Sequence, residues 1–214
     1  MGHYSGMHSR TTIRQRVILA LLTVTCASAP AGAQTMQGDW PCKQVRVPDI
    51  ALAGVWTGPS VDQARKSWRE DPAIADFVSR IAPRRTPLEE AERLIDDFAK
   101  NAGAGRKDRL TLLFGGLYDR LTGERLEVVN GLDRFGRRLK EMAEKTREET
   151  QAFFDLQNRK PPDPEAVKKA SEALQWRVRL FDEQRKMVSY VCESPALIEQ
   201  RLGALARKIE ADME

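Results

Sequence analysis

The chain has 214 residues, 31% of them charged, with 35 basic and 31 acidic side chains and only two histidines. The net charge of +4 arises mostly at the N-terminus, where the first 33 residues hold Arg10, Arg14 and Arg16 and no acid, leaving 32 basic against 31 acidic side chains beyond them. That balance takes most of the force from a charge argument for nucleic acid or an anionic membrane. His3 and His8 also fall in this first segment, so the rest of the chain cannot build a Ser-His-Asp or Cys-His centre, a histidine zinc site or histidine-ligated haem.

Those three arginines precede an apolar run, Val17 to Ala27, and then small residues ending Ala31, Gly32, Ala33. This is the order of a secretory signal peptide, and it predicts that residues 1–33 are cleaved. The run is shorter than the ~20 residues a bilayer requires, so no transmembrane segment is expected after cleavage. The expected compartment is the periplasm, reached by the general secretory route, or the outside of the cell.

Residues 34–60 read as a short extended arm. Pro41, Pro48 and Pro59 disfavour helix there, while Trp40, Val47, Ile50 and Trp56 give it apolar faces. Two cysteines remain after cleavage, Cys42 in the arm and Cys192 near the far end. An oxidising compartment predicts a disulfide between them. The chain-entropy model assigns the closure of so long a loop ~5 kcal/mol. Catalytic redox chemistry is disfavoured, because no C-x-x-C brings two thiols close together. Trp40 and Trp56 have two readings: anchors for a partner, or rings filling a groove under a pinned arm, the second being preferred.

Residues 61–214 read as one helical bundle domain. Asp71-Pro72, Thr86-Pro87, Asp163-Pro164 and Ser194-Pro195 each place a capping residue before a proline, the signature of a helix start. Thr86 with Glu89 also forms a T-x-x-E capping box. Ile74, Phe77, Val78 and Ile81 share one helical face; Leu88, Ala91, Leu94, Ile95 and Phe98 share another, which AKNAGAG ends. Arg80, Arg84 and Arg85 gather at a helix end, either as a receiver for an anionic partner or as a solvated complement to the dipole.

A long helical region begins near Lys107. Thr122-Gly123 is read as a break within it, and Gly131 and Gly136 as interruptions or points of close packing. Val128, Leu132, Phe135, Leu139 and Met142 follow alternating four- and three-residue steps, a heptad seam that fades at Thr146 and Glu149 and resumes at Phe153 and Leu156. RKPPDP forces a reversal, and 164–191 returns with Val167, Ala170, Leu174, Phe181 and Val188 on one stripe. A final helix from Pro195 presents Ile198, Leu202, Leu205 and Ile209. The fold class is therefore all-α: an antiparallel helical bundle with a hairpin of about 40 Å (107–158 and 164–191), a short extended N-terminal arm and a C-terminal helix.

No phosphate-binding loop, calcium loop or haem-attachment motif occurs, and no catalytic residue, metal or cofactor is expected. Glu193-Ser194 resembles the Glu-Ser dipeptide of lytic transglycosylases, but their downstream G-L-M-Q is absent. The general plan resembles that of periplasmic helical chaperones of the prefoldin-like, tentacled kind, in architecture alone, with no shared motif. The leading expectation is a non-enzymatic periplasmic interaction protein, an adaptor, assembly factor or accessory subunit of an envelope protein. Alternatives are a peptidoglycan hydrolase using carboxylates and a small-molecule or lipid carrier. The seam can close within one chain or between copies in a homo-oligomer.

Overall fold

Local capping and apolar spacing set most of the helix boundaries. The computed structural model describes residues 38–214, so the predicted signal segment 1–33 and the first arm residues, 34–37, lie outside the described residues. A non-helical arm runs to Ser60, with one 3-10 turn at Leu52–Gly54. Beyond it come α1 (Asp62–Ser67), α2 (Pro72–Ile81), α3 (Leu88–Asn101), α4 (Arg106–Gln157) and α5 (Pro164–Ala211), with no strand among the described residues. Asp71 caps α2 by accepting from the Ala73 and Ile74 amides at 3.0 and 3.1 Å, and Asp163 caps α5 by accepting from Ala166 at 3.0 Å. At the end of α3, Gly103 takes φ +61°, the left-handed conformation glycine supplies without a Cβ penalty.

Three expected boundaries are overturned. Thr86 does not cap α3, which begins at Leu88 with no side-chain cap; its hydroxyl instead donates to the Arg80 carbonyl at 2.7 Å, closing the end of α2. No break occurs at Thr122-Gly123, because α4 is continuous there. Leu117, Leu121, Arg125, Val129 and Leu132 are buried at steps of three and four right through it, and that burial outweighs the ~1 kcal/mol cost of one helical glycine. The C-terminal helix does not restart at Pro195 either: α5 runs through it, so the last segment continues the hairpin's second arm. A helix-interior proline costs ~3 kcal/mol. Here Cys192 and Pro195 are buried in phase with Ile198, Leu202, Leu205 and Ile209, and a restarted helix would lose that register.

The all-α hairpin bundle is otherwise as the sequence implies. In its base, α1, α2, α3, the first third of α4 and the end of α5 enclose Ile74, Ile81, Ile95, Leu110, Phe114, Leu202 and Leu205, each fully buried. Each such side chain contributes ~1.5–3 kcal/mol of burial. Gly115 and Gly116 allow α1 and α2 to approach α4, since a Cβ at either would press within 3 Å of Ala64 or Val78.

Beyond the base, α4 and α5 continue alone as an antiparallel pair. From Arg137 to Val191 no residue is buried. Leu139, Met142, Phe153 and Leu156 on α4 and Leu174, Phe181 and Val188 on α5 are only half-covered, as a two-helix seam leaves them. Its polar position is partnered across the pair: Glu149 accepts from Arg177 at 2.9 Å and holds that guanidinium above its ordinary pKa.

Candidate functional site

The arm is bound to α4 along its length. Trp56 stacks on Phe114 with centroids 3.8 Å apart and donates to the Pro59 carbonyl at 2.7 Å. Tyr118 donates to the Ile50 carbonyl at 2.6 Å. Buried Arg125 reaches the Val47 and Pro48 carbonyls at 2.8 and 2.9 Å while Glu199 accepts from its Nε at 2.6 Å. Farther out, Arg46 pairs with both oxygens of Asp133, and Trp40 packs on Val129 and Leu132. The arm's first described residues lie against Gly136, where any Cβ would collide with the Asp39 carbonyl. Cys42 closes this path with the predicted disulfide to Cys192, their Cα atoms 5.6 Å apart.

At this junction a groove of about 1040 Å³ opens between the two helices. One wall is a four-three-four stripe of α4, Gly136, Lys140, Ala143 and Arg147, flanked by Leu139 and Glu144. The other is the same step on α5, Phe181, Arg185, Val188 and Cys192, flanked by Lys186, Ser189 and Glu193. Residues Gly38 to Gln44 of the arm close one end. Asp39 is paired with Arg137 at 3.1 Å, and Glu144 faces Arg147 at 4.0 Å. Lys43, Lys140, Arg185 and Lys186 enter no ion pair among the described residues, and Glu193 is the one lining acid in the same condition. The result is a floor of Pro41, Leu139, Ala143, Phe181 and Val188 beneath a cationic rim.

Of the predicted site residues, Trp40, Cys42 and Cys192 fall in the groove's lining, and Trp56, Arg80, Arg84 and Arg85 do not. Trp40 and Trp56 are each 6% exposed, so neither ring is free to anchor a partner; both hold the arm to its own helices. Arg80, Arg84 and Arg85 are exposed around the end of α2, away from the groove's lining. Cys42 and Cys192 both line it. Glu193 lies exposed on its edge. Sequence reading missed Lys140, Ala143, Arg185 and Lys186. Their signal was a second stripe beside the seam, visible only once the seam's partner is known.

Other polar groups inside the molecule secure elements. Arg201, 8% exposed, donates to the Ile81 and Thr86 carbonyls between α2 and α3, and burial pushes its pKa down. Lys208 joins α3 to α5 through Asp96 and Asp212. Desolvation opposes its charge, but the hydrogen bonds to Asp212 and Asp96 outweigh it and hold the ammonium above its usual pKa. Asp96 is correspondingly lowered by the hydrogen bond from Lys208. Among the described residues no group of three or more His, Cys, Asp or Glu side chains is placed to hold a metal ion, and no helix is long and apolar enough to cross a membrane. Comparison with protein-family models, with curated proteins and with solved structures finds no match.

Proposed function

We propose that the chain is an exported, periplasmic, non-enzymatic interaction module, an adaptor, assembly factor or accessory subunit that engages an envelope protein through the root of its hairpin. The observation that carries this reading is the groove, open and apolar-floored, at the point where two helices leave the core. A helix pair with no buried residue over 137–191 adds little to the stability of its own domain, which favours presentation as its role. Export is supported by the signal-like order of residues 1–33 and by a disulfide between distant cysteines.

The test is affinity capture of residues 34–214 from the envelope extract of the source cell, beside the variant Ala143→Trp, which obstructs the groove's floor. A stoichiometric protein retained by the native chain and lost with the variant supports the reading. Retention of the same proteins by both, or of none by either, contradicts it. The groove's size also suits a small-molecule or lipid carrier. Bound lipid extracted from the purified native protein and absent from Ala143→Trp would favour that second reading.

A further inference from the structure

Resting on the interaction reading of this groove, we infer that its occupant is an acidic amphipathic helix of a partner protein, laid along α4 and α5 as a third helix. Three observations converge on that chemistry. Both walls repeat at four-three-four steps, Gly136, Lys140, Ala143, Arg147 against Phe181, Arg185, Val188, Cys192, which is the period with which one helix meets another. Beyond Gly136, the open α4 wall from Lys140 to Arg147 spans about 10 Å at the helical rise, room for two turns against it. Gly136 is already covered by Asp39 and Pro41, so the arm fixes where the occupant ends, while Ala143 in the open part leaves its backbone close access.

Charge selects the sign of the occupant. Lys140 stands on one wall, Arg185 and Lys186 on the other, and Lys43 on the arm at the end, none of them in an ion pair among the described residues. An apolar face at i, i+3, i+4 and i+7 would lie on Leu139, Phe181 and Val188, with carboxylates along both flanks meeting these cations. A basic helix would instead set like charges together on both walls, which gives specificity by exclusion as well as by attraction. A lone fatty anion would meet the rim with one charge and leave most of the cations unmatched.

The probe is a fluorescein-labelled peptide of about 14 residues, three to four turns, with leucine at i, i+3, i+4 and i+7 and glutamate on the flanks. Its controls are the scrambled sequence and the version with lysine for glutamate. Fluorescence anisotropy with the disulfide-intact protein is expected to show saturable binding of the acidic helix alone, weakened by added salt. Lys140→Glu with Arg185→Glu should weaken it by at least about tenfold, equivalent to 1.4 kcal/mol. Ala143→Trp should remove it, with the melting temperature of each variant showing that the base is intact. Equal binding of scrambled or basic peptide, no binding, or affinity unchanged in both variants overturns the inference. Displacement of the acidic peptide by oleate at equal concentration, with the charge reversals having no effect on the peptide, overturns it in favour of a lipid, and an Ala143-dependent dimer overturns it in favour of a second copy. If Ala143→Trp abolishes envelope capture while the acidic peptide fails to bind, only this choice of occupant falls; if capture is unaffected, the interaction reading falls with it.

Discussion

The base and the projecting hairpin share the same two helices and differ in what covers them. Over residues 106–135 and 192–211, α4 and α5 are sheathed by α1, α2, α3 and the arm, and Phe114, Leu117, Leu202 and Leu205 are fully buried. Over 137–191 they have each other and, at the root alone, the arm's first residues, and Phe154, Trp176 and Tyr190 stand half or more exposed, Tyr190 at 77%. Helix length therefore says nothing about where stability resides. Sheathing decides it, and the groove lies on the boundary between the two regimes.

The largest expected effects distinguish the regions directly. Phe114→Ala removes the ring stacked on Trp56 and should cost ~3–5 kcal/mol in urea unfolding. Phe153→Ala, half-covered in the seam, should cost about 1 kcal/mol. Equal losses would erase the distinction. Next comes the clamp: Cys42→Ser with Cys192→Ser should cost ~2–4 kcal/mol. For a chain of this size the melting point should fall by roughly 10 °C, and an unchanged curve under non-reducing conditions would contradict the clamp.

Gly136→Val sharpens the boundary itself. Its side chain cannot coexist with the Asp39 carbonyl, so the arm must shift at a cost of ~1–3 kcal/mol. Faster proteolysis near Asp39 should accompany that loss, whereas Gly123→Ala, where a Cβ meets open space, should stabilise slightly. The smallest effect concerns the base alone. Asp96 has a folded pKa below its ordinary 3.8, so the stabilisation it draws from Lys208 is complete above that ordinary value and is lost as pH falls through the folded pKa. The stability difference between the native chain and Asp96→Asn should accordingly be present at neutral pH and vanish in acid, as urea unfolding at the two pH values would show.

Sequence made the caps at Asp71 and Asp163, the Pro-rich reversal, the cysteine pair and the buried stripes legible, because each is written in residues a few positions apart or, for the cysteines, in their being an even pair beyond residue 33. The same local chemistry misled at Ser194-Pro195. A cap followed by proline reads as a helix start, yet the stripe from Val188 through Cys192 to Leu202 never changes phase, and burial along it fixes one continuous helix. Thr122-Gly123 failed for the same reason. Buried Arg125 and Arg201 gave no signal, since their partners are backbone carbonyls at Val47, Pro48, Ile81 and Thr86, which every residue type supplies. The groove was illegible because it belongs to two helices and an arm brought together from 38–44, 136–147 and 181–193.

Native-state hydrogen exchange, resolved by peptide mass spectrometry, tests the division between sheathed base and open hairpin most directly. Amides of 108–132 and 198–209 should exchange only through global unfolding, and those of 140–188 through local opening at a clearly lower free energy. Uniform protection along both long helices would contradict the account, because the hairpin would then be as much a part of the cooperative core as Phe114.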